Sequence, residues 1–310
     1  MRKKRVLVTG GAGFVGSHIV ERLAPAAIVS VLDDFSRGQP DWVPDDVDAV
    51  YRVDVRDRAR VFDAFAEFRP TCVLHLAALH FIPAVDDSPR IAEAINVAGT
   101  DNVANAVVHH AVEQVVFAST AAVYPDYDRP LSEAQPVAPI DLYGRTKVAG
   151  EQILRKAAAV SGASTTFARL FNVVGHRETN PHVFPEIVEQ LRGGAEELAL
   201  GNVETARDFI DARDVASALE RLMELAPSGV SAYNVGSGRA VSVREVVAAC
   251  SAILGTRIRI VQDRRRLRPV DRRLLVADNR KLRACSWFPR YTLEDTLAEL
   301  LTVTPAGSGV

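Results

Sequence analysis

Through the first half of the chain, short uninterrupted apolar runs alternate with longer stretches whose apolar residues recur every third or fourth position. The runs are Val6–Thr9, Ile28–Leu32, Cys72–Leu76 and Val115–Ala118, with Asp48–Val53 a more polar member of the series. A run without polar alternation reads as a strand covered on both faces, so the series predicts a parallel sheet between two layers of helices. The helical pattern occupies Ser17–Leu23, Ala59–Phe68 and a long span from Pro89 to His110, and it returns from Leu142 to about Val160. Strand then helix, repeated, is the order of an α/β chain with right-handed crossovers.

The first run ends in a glycine turn, Thr9-Gly10-Gly11-Ala12-Gly13-Phe14-Val15-Gly16. A strand that turns sharply into a helix presents free backbone N–H groups to a pyrophosphate. Gly10 permits the turn, Gly13 the close approach of phosphate, and Gly16 the packing of helix on strand. Phe14 and Val15 belong to the same cofactor-binding turn. The second run ends on Asp33, where a carboxylate accepts hydrogen bonds from an adenosine ribose and repels a 2′-phosphate. That choice favours NAD over NADP, while Arg37 pulls mildly the other way because a guanidinium can reach a phosphate.

After the fifth run comes Ser119-Thr120-Ala121-Ala122-Val123-Tyr124, and the last helical stretch opens on Leu142-Tyr143-Gly144-Arg145-Thr146-Lys147. Tyr143 and Lys147 lie about one helical turn apart and share a face. An ammonium beside a phenol lowers the phenol's pKa and makes it a usable acid or base near neutrality. Thr120, at the carboxyl end of a central strand, stands where ligands of open α/β sheets bind and can hydrogen-bond the same substrate oxygen.

Composition adds limits. The 310 residues are 48% apolar with a formal net charge of -2, enough chain for one large domain or two unequal ones. The basic start Met1-Arg2-Lys3-Lys4-Arg5 meets the glycine turn too soon for a secretion signal, and no apolar stretch is long enough to span a bilayer, so a cytoplasmic protein is expected. Cys72, Cys250 and Cys285 are too few and too scattered for a disulfide framework or a metal knuckle. His109-His110 have no third ligand nearby and read as helix-capping or surface residues, so no metal is expected. The run Arg264-Arg265-Arg266-Leu267-Arg268 is flanked by Asp263 and Asp271 and has no interleaved aromatics, which speaks against nucleic acid.

Several motifs in order resemble the extended short-chain dehydrogenase/reductase superfamily, in its nucleotide-sugar epimerase and dehydratase branch. They are the glycine turn, His75-Leu76-Ala77-Ala78, Asn96-Val97-Ala98-Gly99-Thr100, Tyr143 with Lys147, Arg169-Leu170-Phe171-Asn172, Arg207-Asp208-Phe209-Ile210 and Tyr233-Asn234-Val235-Gly236-Ser237-Gly238. The resemblance implies an NAD-binding Rossmann domain over residues 1–170, rejoined by segments at about 208–238, and a smaller mixed α/β lobe over 171–310. It implies that Asp54 and Val55 lie beside the adenine, that Leu76, Ala77 and Ala78 line the cofactor channel, and that Lys147 also bonds the nicotinamide ribose. In the smaller lobe it implies a nucleoside diphosphate sugar held by Asn172, Arg207 and Arg268, with His182 and Val183 at the sugar. His80, just beyond the fourth run, is a pocket-wall residue that could touch the sugar. The resemblance also implies a homodimer through a helix bundle, for which Val103, Ala104, Val107 and Val108 offer an apolar face.

Dehydratases of this branch resemble one another in carrying an acid directly after the catalytic threonine, whereas this chain has Ala121 and Ala122. What is left is the apparatus for reversible hydride transfer, which implies epimerisation at C4 through a transient 4-keto sugar, nearest in kind to UDP-glucose 4-epimerases. Leu200–Phe209 is similar to guanosine-diphosphate deoxyhexose enzymes and keeps open a reductase of a 4-keto-6-deoxy sugar. A non-catalytic NAD-binding regulator is a third reading, disfavoured by the survival of Thr120, Tyr143 and Lys147.

Overall fold

The buried run Arg5–Thr9 forms strand β1, and the chain turns at once into helix α1 (Phe14–Leu23). In this computed structural model residues 3–266 and 272–302 are described. Strands β2 (Ile28–Asp33), β3 (Ala49–Arg52) and β4 (Cys72–His75) follow, with helix α2 (Arg58–Phe68) between the last two. Helices α3 (Ile82–Asp87), α4 (Pro89–Glu93) and α5 (Thr100–His109) lead to β5 (Gln114–Thr120), then α6 (Leu142–Ser161) and β6 (Ser164–Leu170). Beyond these come β7 (Asn172–Val174), α7 (Val183–Arg192), β8 (Glu197–Leu200), β9 (Ala206–Asp211), α8 (Ala212–Leu225) and β10 (Val230–Val235). The chain closes with β11 (Ala240–Ser242), α9 (Val243–Leu254), β12 (Arg259–Gln262), β13 (Leu274–Leu275), α10 (Arg280–Arg283) and α11 (Leu293–Thr302).

Seven parallel strands in the order β10-β6-β5-β4-β1-β2-β3 make the main sheet, the doubly wound arrangement of a Rossmann fold. The apolar runs separate by parity, as a strand's alternating side chains require. Val6 and Val8 of β1 face a core with α1 and α8, including Ile19, Leu219 and Leu222. Leu7 between them faces the opposite core with Phe65 of α2, Val103 of α5 and Leu154 of α6. A smaller lobe with its own core, among them Phe184, Ile187, Leu198 and Val246, is built on short strands around β9 and β8. Between the two, α8 and β10 carry the chain back onto the main sheet.

Local differences from the sequence pattern have physical causes. Helix α1 starts at Phe14, with Gly13 as its N-cap, so the glycine turn itself supplies the first helical turn. The span from Pro89 to His110 is not one α-helix: a π-helical segment, Ala94–Gly99, joins α4 to α5. There the buried Asn96 accepts a hydrogen bond from Leu79 N–H at 2.7 Å and donates to Leu79 O at 2.9 Å and Thr146 Oγ1 at 3.0 Å. Holding that side chain inward favours the wider turn. Helix α3 was not legible, and β5 runs on to Thr120.

The apolar face expected to form a dimer seam is used within the chain. Val103, Ala104 and Val107 are 0%, 3% and 1% exposed and, with half-buried Val108, pack on their own sheet. Among the described residues no helix is long and apolar enough to cross a membrane.

Candidate active site

The glycine turn has the geometry a dinucleotide needs. Gly10 adopts φ +70°, and a Cβ there would come within 2.7 Å of Ala77 N. Its N–H donates to Leu32 O at 2.8 Å, fixing the turn beside the end of β2. No side chain caps α1 at Gly13, so the first-turn N–H groups are left for an anion. Asp33, at the end of β2, accepts hydrogen bonds from the N–H groups of Ala12 (3.0 Å) and Phe35 (2.8 Å). Burial raises its pKa, with those two bonds opposing. A carboxylate has capacity for further donors, so the site fits a ribose. Asp54, just past β3, is engaged by Arg56, which holds its pKa low.

Thr120 ends β5, and its Oγ1 accepts from Ala122 N–H at 3.2 Å. Asp141 caps α6 by accepting from Gly144 N–H at 2.6 Å, which sets Tyr143 on the first turn. The Tyr143 phenol and the Thr120 hydroxyl line the same cavity, with Thr120 near enough to act on the phenol. Lys147, 3% exposed, donates to Ala118 O at 2.7 Å and lies over the Phe117 ring, 4.6 Å from its centroid. Burial pulls its pKa down to about 7, against the pull of Glu151. One sequence expectation is corrected here. Lys147 does not depress the phenol in this structure, because it is turned to Ala118 O; burial instead raises the Tyr143 pKa, and only the neighbouring Thr120 hydroxyl opposes it.

A cavity of about 990 Å3 collects these residues. Gly10, Gly13, Phe14, Val15 and Gly16 line it with Asp33, Arg37, Asp54 and Val55. Leu76, Ala77, Ala78 and His80 line it after β4, and Thr120, Tyr143 and Lys147 after β5 and on α6. The smaller lobe contributes Asn172, His182, Val183 and Arg207. Asn172 Oδ1 is buried with no partner, an orphan acceptor that a bound molecule could satisfy. Arg207 donates to Arg272 O at 2.7 Å. Arg268 lies outside the described residues.

Residues 6–236 match the NAD dependent epimerase/dehydratase family. The chain belongs to this family. A UDP-glucose 4-epimerase of Rhizobium meliloti is 31% identical, the match covering 94% of each chain. The solved UDP-glucose 4-epimerase of Thermus thermophilus, in complex with NAD, is 33% identical, covers 96% of this chain and 97% of that one, and superposes with a TM-score of 0.85. The UDP-N-acetylglucosamine 4-epimerase of Methanobrevibacter ruminantium, in complex with UDP-N-acetylmuramic acid, is 26% identical, covers 97% and 98%, and has a TM-score of 0.87.

Some residues that shape this epimerase/dehydratase site were not visible in the sequence. Glu151 receives a two-pronged contact from Arg169, at 3.0 and 2.8 Å, and a bond from Ser119 Oγ at 2.6 Å. Arg169 also donates to Tyr124 Oη at 2.9 Å, and Tyr124 donates to Asn234 Oδ1 at 2.7 Å. The network underlies the end of β5 from which Thr120 projects. One signal was available: Glu151 follows Lys147 by about one turn on the same helix face. Glu178 and Asn180, which line the cavity beside His80, stood in a stretch with no periodicity to interpret.

Proposed function

We propose that the protein interconverts the C4 epimers of a uridine diphosphate sugar, using NAD. The observation that carries the reading is that Thr120, Tyr143 and Lys147 line one cavity, with the methyl side chains of Ala121 and Ala122 where dehydration needs an acid. The glycine turn, the uncapped start of α1 and Asp33 suit the pyrophosphate and ribose of NAD. Bound NAD supplies a carbon that takes hydride from C4 and returns it.

Tyr143 accepts the proton of the sugar 4-hydroxyl and later gives it back. Thr120 donates to the same oxygen while it carries the developing carbonyl. Lys147, which donates to Ala118 O in this structure, balances the charge of the phenolate only once its ammonium turns from that carbonyl toward Tyr143. The orphaned Asn172 Oδ1 and the guanidinium of Arg207 serve the nucleotide side of the substrate, while His80, His182 and Val183 line the sugar side.

The test is incubation of the purified protein with uridine, guanosine, thymidine and cytidine diphosphate sugars without added cofactor, followed by mass spectrometry and proton NMR. A C4 epimer of unchanged mass is expected from the uridine series. Its rate should fall by a factor on the order of 10²–10⁴ in Tyr143→Phe. Reduction of a 4-keto sugar only when NADH or NADPH is supplied, with no isomer from any hexose, would overturn the reading.

A further inference from the structure

The rings of His80 and His182 lie side by side in the cavity wall, 6.3 Å between centroids, one on the loop after β4 and the other on the segment that leads into α7. Glu178 joins them, and the ligating atoms of the three side chains all lie within 4.8 Å of one another. We propose that His80, Glu178 and His182 form a binding site for a single divalent ion of the zinc class.

The donor set is two imidazole nitrogens and one carboxylate oxygen, the borderline set that zinc and its neighbours prefer over calcium or magnesium. Ligands about 2.1 Å from a tetrahedral ion stand roughly 3.4 Å apart, so the three need close only by small side-chain rotations. His80 turns Nε2 toward the cluster, where it meets the Asn180 amide at 3.0 Å. The side-chain amide of Asn180 bridges the site, donating to His80 Nε2 at 3.0 Å and to Glu178 Oε1 at 3.2 Å. An N–H donor placed between an imidazole lone pair and a carboxylate stands where a cation would, and the ion would replace it.

Three protein ligands leave at least one coordination position for water or a substrate oxygen, and the cluster lines the cavity that holds Tyr143 and Lys147. The ligands come from two separate segments of the chain. Occupancy therefore ties the loop after β4 to the smaller lobe and restricts the sugar side of the cleft. His109 and His110 offer a contrasting pair: they are adjacent at the end of α5 and their rings pack on Phe62.

Zinc binding is measured by titration calorimetry and by metal analysis after equilibrium dialysis, on the full chain as purified and stripped with chelator. One equivalent is expected, with affinity weakened by more than the roughly 100-fold that an outer-shell loss can cost in His80→Ala, clearly weakened in Glu178→Gln, and unchanged in His109→Ala. Zinc should also raise the melting temperature of the parent protein but not of His80→Ala, a comparison that holds even if the variant starts less stable. Failure to retain zinc at high micromolar free concentration would overturn the proposal. So would binding that survives both His80→Ala and His182→Ala, since the ion would then sit elsewhere. Binding is read on the protein itself, so the outcome does not depend on whether Tyr143 catalyses epimerisation.

Discussion

His75 shows how one buried side chain can carry a measurable pH dependence. Thr100 Oγ1 donates to Asn96 O at 2.7 Å, so it can only accept from His75 Nε2, 2.9 Å away. That leaves Nδ1 to accept from Thr9 Oγ1 at 2.6 Å, and the ring is neutral in a defined tautomer. Burial, with Lys147 adding to it, pushes its pKa down to about 3. Above pH 6.5 the folded and unfolded chains both hold a neutral imidazole, and the contribution to stability is complete. As pH falls from 6.5 towards 3 the unfolded chain takes up a proton that the folded chain refuses, so stability declines by about 1.4 kcal/mol per pH unit. Urea unfolding between pH 6 and 4 should therefore show a shallower pH slope in His75→Gln, by roughly one proton. Equal slopes in the two proteins would remove His75 from the acid response.

At the scale of elements, the β1–turn–α1 unit depends on one atom's worth of space. A Cβ on Gly16 would collide with the carbonyl oxygen of Gly10 and lie 2.8 Å from Gly11 Cα. Both contacts are backbone, so neither can rotate away. Gly16→Ala should cost about 1–3 kcal/mol as overpacking and displace the first turn of α1. The expected results are a lower melting temperature and loss of co-purifying NAD; full NAD occupancy at the parent's melting temperature would contradict the packing role. This unit was legible in the sequence because an uninterrupted run meets spaced glycines, and both are local signals. Thr120, Tyr143 and Lys147, which line the cavity, were picked out differently, since their spacing alone is a weak signal and the distant glycine turn and Asp33 gave it weight. The π-helical segment was not, because it depends on Asn96 reaching Leu79 and Thr146, contacts that helical periodicity does not encode. The phenol's environment was misread because spacing along α6 places Lys147 on the right face but does not say that its ammonium turns to Ala118 O. The His80, Glu178 and His182 cluster was out of reach, since His80 lies far along the chain from Glu178 and His182 and only the fold brings them together.

The whole molecule works as two lobes sharing one cavity, and the buried network below Thr120 joins the parts. Glu151 stands on α6, Arg169 on β6, Ser119 on β5 and Asn234 on β10, the strand that returns after the chain has visited the smaller lobe. Asn234 in turn donates to Leu131 O at 2.7 Å, in the loop between β5 and α6. Arg169 and Glu151 side chains are only 5% and 6% exposed, so neither can exchange its partner for water. Replacing a buried ion pair by matched apolar groups can be neutral, but removing one partner strands a charge and costs about 3–5 kcal/mol. Glu151→Ala should therefore destabilise the fold by that amount. It should also lower turnover beyond what the unfolded fraction explains, because β5 and β10 lose the tie that fixes Thr120 relative to the rest of the cavity. Glu151→Gln keeps one acceptor oxygen for Ser119 and Arg169 Nε but sets an amide donor against Arg169 Nη2, so it should recover only part of both losses. Chemical denaturation beside active-site titration would separate the two effects. A variant that is destabilised yet turns over normally per folded molecule would confine the network to structure and deny it a positioning role.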